Sequence, residues 1–135
     1  MTVEIAGEIL SALLRSAAAV PDREICGLLF GSERRIDRTE TADNVASSPQ
    51  DTFEIDPRAL FAALRAERAG GPRLIGHYHS HPNGSAEPSV RDRAAAEPGK
   101  YWLIIGGGAA RLWLAASDGF TEVQMIVNQD RAWGG

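Results

Sequence analysis

Leu74-Ile75-Gly76-His77-Tyr78-His79-Ser80-His81-Pro82 is the stretch on which the reading turns. Residues 74–78 form the kind of apolar run that makes a buried strand. The run leads straight into the histidines, and Pro82 then opens a polar, turn-rich loop to Pro88. All three histidines of the chain fall within the five positions 77–81. Side chains alternate across a strand, so residues two apart share a face, about 6.6 Å from one another at a rise of about 3.3 Å per residue. His79 and His81 can therefore converge on one ion. A catalytic zinc site takes three protein ligands and leaves the fourth position to water, so one more ligand is needed. Asp92, in the first turn of a short Ala-rich helix that the pattern starts at Ser89, is placed to return a carboxylate to the strand end.

Working outward from this strand, Asp56 before Pro57 is an N-cap followed by the residue best tolerated at the first helical position. Leu60, Phe61 and Leu64 give that helix an apolar stripe, and Gly70 with Gly71 ends it. Residues 25–30 form a compact apolar run closed by Gly31, again a buried strand, while the polar, Thr-rich residues 36–45 read as an edge strand paired to it through a turn at 32–34. Nearer the start, Ile9, Leu10, Leu13, Leu14 and Ala17 recur at helical spacing, and Pro21 with Asp22 stops that helix. Downstream, Pro98 and Gly99 end the Ala-rich helix. Strand signals follow at 101–105, 111–115 and 120–127, with turns at 106–108 and 117–119. Helices and strands interleave early and the last third is a meander of strands, which predicts an α/β or mixed α+β class: one curved mixed sheet flanked by helices.

Length and composition bound the alternatives. The chain has 135 residues with 44% hydrophobic content, enough for one core, so a single domain over residues 1–135 is expected, with residues 129–135 as a flexible tail. Net charge is −4 and the basic residues are scattered arginines with a single lysine, Lys100, which argues against nucleic acid as a partner. No apolar run approaches the roughly 20 residues that span a bilayer. One cysteine, Cys26, forms no internal disulfide, and no secretory signal opens the sequence, so the expected location is the cytoplasm.

Each candidate also has a plainer reading. A histidine pair at a strand end can be a polar rim. Ser89-x-x-Asp92 fits a helix capping box, and an Asp92 carboxylate turned toward a metal is expected to lose the Ser89 amide. His77 shares the face of the pair but sits deeper, which suits packing beside the site or support of a ligand. Cys26 reads as a small core residue, and Glu24 alone could be a solvated charge after Asp22 and Arg23.

Beyond these residue-level readings, His79-Ser80-His81-Pro82, six further residues and then Ser89-Val90-Arg91-Asp92 resemble the metal-binding signature of the JAMM/MPN+ metallopeptidases. Glu24-Ile25-Cys26-Gly27-Leu28-Leu29-Phe30-Gly31 is similar to that family's E-x-C-G-x-L-x-G segment, and Phe53-Glu54-Ile55-Asp56-Pro57 resembles another common segment. The resemblance implies the JAMM/MPN core, which is cytidine-deaminase-like. It implies one zinc per chain held by His79, His81 and Asp92, Glu24 as general base, and Ser89 as a donor to the reacting oxygen. No member of the set is missing, unlike in the family's non-catalytic scaffold members. The implied reaction is hydrolysis of a peptide or isopeptide bond after the C-terminal glycines of a ubiquitin-like or sulfur-carrier protein, whose tail can pair with a sheet edge such as residues 36–45. Two alternatives stand beside it: a zinc amidase acting on a small-molecule or carrier-bound amino-acid amide, and a scaffold module without catalysis. A zinc nucleobase deaminase is excluded, because its H-x-E and P-C-x-x-C pattern is absent. The terminal Trp133-Gly134-Gly135 resembles the tails such enzymes recognise, which raises self-docking of the tail. Larger chain-specific relatives in that family carry insertions around the core, for which short connections such as residues 106–110 leave little room.

Overall fold

The computed structural model describes residues 1–129; the expectations for the Gly134-Gly135 tail lie outside them. In chain order the elements are β1 (Thr2–Ala6), α1 (Gly7–Ala19), β2 (Cys26–Ser32), β3 (Arg35–Ala42), α2 (Pro57–Arg68), β4 (Leu74–His81), α3 (Val90–Ala95), β5 (Tyr101–Gly106), β6 (Ala109–Ala116) and β7 (Gly119–Asn128). The curved mixed sheet closes into a barrel in the order β1-β3-β2-β4-β5-β6-β7. β4 and β5 run parallel across the α3 crossover, β1 runs parallel to both β7 and β3, and the remaining pairs are antiparallel.

β1 was not expected, and it is the strand that closes the barrel. Val3 and Ile5 alternate inward and are fully buried, and the strand pairs with β7 along its whole length. Its contact with β3 covers only Glu4 with Arg35 and Ile5 with Ile36. The expected edge strand is thus covered at its start; from Asp37 to Ala42 no strand pairs with its outer side among the described residues.

The two faces of the sheet carry two apolar clusters. On one, Val3, Ile5, Leu29, Ile36, Leu103 and Leu112 pack with Leu13 of α1, whose Ile9, Leu10, Leu14 and Ala17 complete the contact. On the other, Leu28, Phe30 and Leu74 pack beneath Ala63 and Leu60 of α2. α2 starts as expected, with the Asp56 side chain accepting from Arg58 N at 3.0 Å and Pro57 in the first turn. Gly76 is required where β4 meets β5, because a Cβ there would run into the backbone carbonyl of Tyr101. That close approach holds the histidine-bearing end of β4 in register, with Cys26 of β2 across from His79 on one side and Ile104 of β5 on the other.

Candidate functional site

Alternation along β4 puts His77, His79 and His81 on the face that α2 covers. His79 is fully buried and the His81 side chain is 11% exposed. Their Nε2 atoms lie 3.0 Å apart. α3 supplies the third group: Asp92 Oδ2 is 3.2 Å from His79 Nε2 and 3.1 Å from His81 Nε2. His81 Nδ1 donates to the Ser85 carbonyl at 2.8 Å, so the neutral ring keeps its Nε2 lone pair pointed at the cluster. Ligand atoms in a tetrahedral shell with bonds of about 2.0–2.1 Å stand roughly 3.3 Å apart. The observed triangle is within a few tenths of an ångström of that. The residues present fit a small divalent cation.

The structure corrects one expectation. Asp92 does not choose between metal and cap, because the same Oδ2 that faces the histidines also accepts from Ser89 N at 2.8 Å, while Ser89 Oγ accepts from Asp92 N at 3.1 Å. A carboxylate oxygen has two lone-pair directions, and here the capping box uses one to aim the other. Ser89 itself is exposed, with its hydroxyl proton uncommitted in that cap.

Glu24 comes from the segment just before β2. It is 5% exposed, and its carboxylate and the two histidine nitrogens lie within 4.8 Å of one another. Two triads therefore share the histidine pair: a tight one closed by Asp92 and a wider one closed by Glu24. The wider spacing suits a group acting through an intervening water. Four hydrogen bonds, two at Glu24 and two at its neighbour Ile25, hold it there. Its N–H donates to Pro49 O at 2.7 Å and its carbonyl accepts from Asn44 Nδ2 at 2.9 Å. Next to it, Ile25 N donates to Ser80 Oγ at 2.9 Å while Ser80 N donates to Ile25 O, tying β2 to the strand between the histidines.

Asn44, Ser80 and Phe53 shape this site without having been candidate site residues, although Ser80 stands between the two histidines of the signature. Asn44 uses all of its carboxamide: Nδ2 also donates to Thr52 O at 2.9 Å, and Oδ1 accepts from Ala46 N at 3.1 Å and Glu54 N at 3.0 Å. It thereby shapes the loop that presents Phe53, whose ring stacks on His79 with centroids 4.1 Å apart and an interplanar angle of 18°. That stacking orients His79, since its buried Nδ1 has no hydrogen-bond partner. For Phe53 the only cue in the sequence was the family-like segment from Phe53 to Pro57. His77 stands deeper, edge-on to Trp102 at 4.3 Å, in agreement with a packing role. Cys26 is buried with its thiol pushed up to about 12 by burial, then by Asp43 and Glu24, so it stays a neutral thiol.

Electrostatics separate the carboxylates. Burial, assisted by Asp92 and Asp51 and opposed by His81, raises Glu24 to about 7. Burial alone would also raise Asp92, but its hydrogen bonds with His79 and His81 outweigh that and hold it well below the usual carboxylate range. Burial keeps His79 below the ordinary histidine range. For His81, burial pulls the same way but is outweighed by the Asp92 hydrogen bond, the Ser85 carbonyl and the Asp92 and Glu24 charges, so it lies above. One carboxylate is thus permanently anionic against the histidines, and the other can exchange a proton near neutrality.

Comparison with known proteins places this arrangement. The profile of the family described as prokaryotic homologs of the JAB domain matches residues 7–116. A desampylase of Haloferax volcanii is 35% identical over 125 residues, spanning 88% of this chain and 88% of that protein. A probable TtuB-protein conjugate cleaving protease of Thermus thermophilus is 37% identical over 99 residues, spanning 73% of this chain and 66% of that protein. The solution structure of a Desulfitobacterium hafniense protein superimposes with a TM-score of 0.81 at 28% identity, covering 96% of this chain and 94% of that one.

Proposed function

We propose, from the premise that the chain belongs to the family of prokaryotic homologs of the JAB domain, that it is a zinc-dependent isopeptidase. Its substrate is the peptide or isopeptide bond after the C-terminal glycines of a ubiquitin-like or sulfur-carrier protein. The observation that carries this reading is the triangle of His79 Nε2, His81 Nε2 and Asp92 Oδ2 with Glu24 beside it. In this reading His79, His81 and Asp92 hold one zinc, Glu24 is the general base and Ser89 a hydrogen-bond donor. When bound, zinc supplies Lewis acidity, polarising the scissile carbonyl and bringing the pKa of water from about 15.7 to near 7.

The chain's own residues do the rest. Glu24, raised to about 7, accepts the proton of the attacking water and returns it to the leaving amine, a contribution of roughly 10² to 10⁴ in rate. Ser89, whose oxygen is engaged by the helix cap and whose proton is not, donates to the oxyanion that develops. A groove of about 710 Å³ lies between the end of α1 and the end of β3, lined by Ala19, Glu24, Cys26, Thr41 and Asn44. The outer side of β3 beyond Ile36 is unpaired among the described residues, and an extended glycine tail can add there by backbone pairing and bring its carbonyl to the site. The names of the relatives, a desampylase and a protein-conjugate cleaving protease, support a protein conjugate as the substrate class. We place the activity in the cytoplasm, in keeping with the single, unpaired Cys26; no helix among the described residues is long and apolar enough to cross a membrane.

The experiment combines metal analysis with two variants. Purified protein should carry about one zinc per chain, as a three-ligand site with one open position requires. Glu24→Gln should keep the metal and lose conjugate cleavage, and His81→Ala should lose both. Glu24→Gln protein that still cleaves at the wild-type rate overturns the assignment of the base. Cleavage confined to low-molecular-weight amides overturns the substrate class.

A further inference from the structure

A second cavity lies behind the metal site, under α2, and is not used by the chemistry above. It has a volume of about 210 Å³, and its apolar wall is Leu28, Ile55, Leu60 and Leu74. Trp102 and His77 supply the rest of the wall, with the two rings edge-on to one another. Its polar rim is already committed or repels anions: Lys100 Nζ donates to the Leu74 carbonyl at 3.2 Å, and Glu97 stands at the opening. The unmet demand is His77. Its Nδ1 is shut away from solvent without a partner, and no hydrogen bond to its Nε2 is found among the described residues. A neutral imidazole has one N–H and one lone pair; with Nδ1 closed off, Nε2 is the nitrogen left to meet a ligand.

We propose that this cavity is a binding site for a small neutral aromatic molecule bearing one hydroxyl group, a phenol in its simplest form. Size sets the ring count: an apolar cavity of about 150 Å³ takes benzene, so about 210 Å³ takes one ring with a substituent. The lining sets the chemistry, since a second aromatic ring packs well at an angle against Trp102 with aliphatic groups around it. The hydroxyl follows from His77, because an O–H both donates and accepts and so serves the accessible ring nitrogen in either tautomer. Neutrality follows from Glu97 at the opening and from Lys100 being engaged. The site is separate from the groove beside Glu24, and its existence does not depend on the metal or on the proposed hydrolysis.

The test uses 4-fluorophenol and fluorobenzene as probes, followed by fluorine NMR titration of the full chain with a chelator present, so that failure of the zinc reading leaves the result intact. 4-Fluorophenol should bind saturably at one per chain, and more tightly than fluorobenzene. His77→Phe keeps a ring and removes both nitrogens; it should weaken 4-fluorophenol about 3- to 10-fold, the worth of one neutral hydrogen bond, and leave fluorobenzene unchanged. Ala95→Phe, at the exposed lip of the cavity, should abolish binding of both, and Leu60→Phe fills the same space from α2 should the first variant misfold. Three outcomes overturn the proposal: no saturation of wild type up to the solubility of the probe, 4-fluorophenol binding that survives both filled-cavity variants, or equal affinity for the two probes.

Discussion

Replacing Asn44 by alanine tests the architecture of the site most directly, because Asn44 touches neither the histidines nor the carboxylate of Glu24. Four hydrogen bonds disappear: those to Glu24 O, Thr52 O, Ala46 N and Glu54 N. At about 1 kcal/mol net each the upper bound is near 4 kcal/mol, and water can replace part of this at a half-buried position, so about 2 to 4 kcal/mol is expected. For a chain of this length that is a fall in Tm of roughly 6 to 14 °C. The effect on turnover arises separately. Glu24 keeps its bond to Pro49 O but loses its other backbone anchor, and displacing a reacting group by about 1 Å costs about 10²-fold. Urea titration, zinc analysis and conjugate cleavage on the same preparations separate the effects: stability and rate should drop while zinc content holds near wild type. Asn44→Asp keeps the two acceptor bonds but sets an anionic oxygen against the Glu24 and Thr52 carbonyls, so it should not restore wild-type stability. The reasoning is refuted if Asn44→Ala unfolds within about 0.5 kcal/mol of wild type, the ordinary range of a surface substitution, or if Asn44→Asp is as stable as wild type.

Other expectations follow from single contacts. Burial, and then the charge on His79, lowers His77 to about 3, so below an unfolded value of about 6.5 the unfolded chain binds a proton that the folded one refuses. Stability is then lost as pH falls, by about 1.4 kcal/mol per unit from this group, or roughly 2 kcal/mol between pH 6.5 and 5. Chelated His77→Phe should show a shallower pH dependence than chelated wild type, and parallel curves would contradict it. Phe53→Leu removes the ring stacked on His79 and should weaken zinc about 10-fold in a chelator competition, at the low end for groups that support ligands, with Phe53→Tyr close to wild type. Gly76→Ala should cost more than about 4 kcal/mol, since the new methyl meets the Tyr101 carbonyl and not a flexible side chain; soluble protein with a near-native Tm would show that β4 and β5 can separate there.

The parts of this site that could be read from sequence are those whose chemistry few other residue types supply. Imidazoles two apart on a strand and an acidic residue in the first turn of the next helix stand out because metal chemistry demands those groups, whereas the carboxylate before β2 is picked out only by the resemblance of residues 24–31 to a family segment. The structure brings His79, His81, Asp92 and Glu24 together. β1 escaped notice for a different reason. Its signal is only Val3 and Ile5 in five residues that run straight into a helix, and its partners are β7, at the far end of the chain, and the start of β3, about 30 residues on. Pairing of that kind is decided by the closed sheet and leaves no local pattern. Asn44 belongs to the same class, and so do the contacts of Ser80 and Phe53, although both residues stand inside family-like segments. An amide, a hydroxyl and a ring acquire their roles only from what the fold brings within 3 Å or 4 Å of them. Asp92 shows the boundary between the classes: its residue type and spacing were legible, but that one oxygen serves both the cap and the histidines was not, because lone-pair direction is set by the helix start and not by composition. It follows that variants of the four chemical residues probe the assignment of a reaction, whereas Asn44→Ala probes whether this particular folding of β2, the loop after β3 and β4 is what makes the reaction possible.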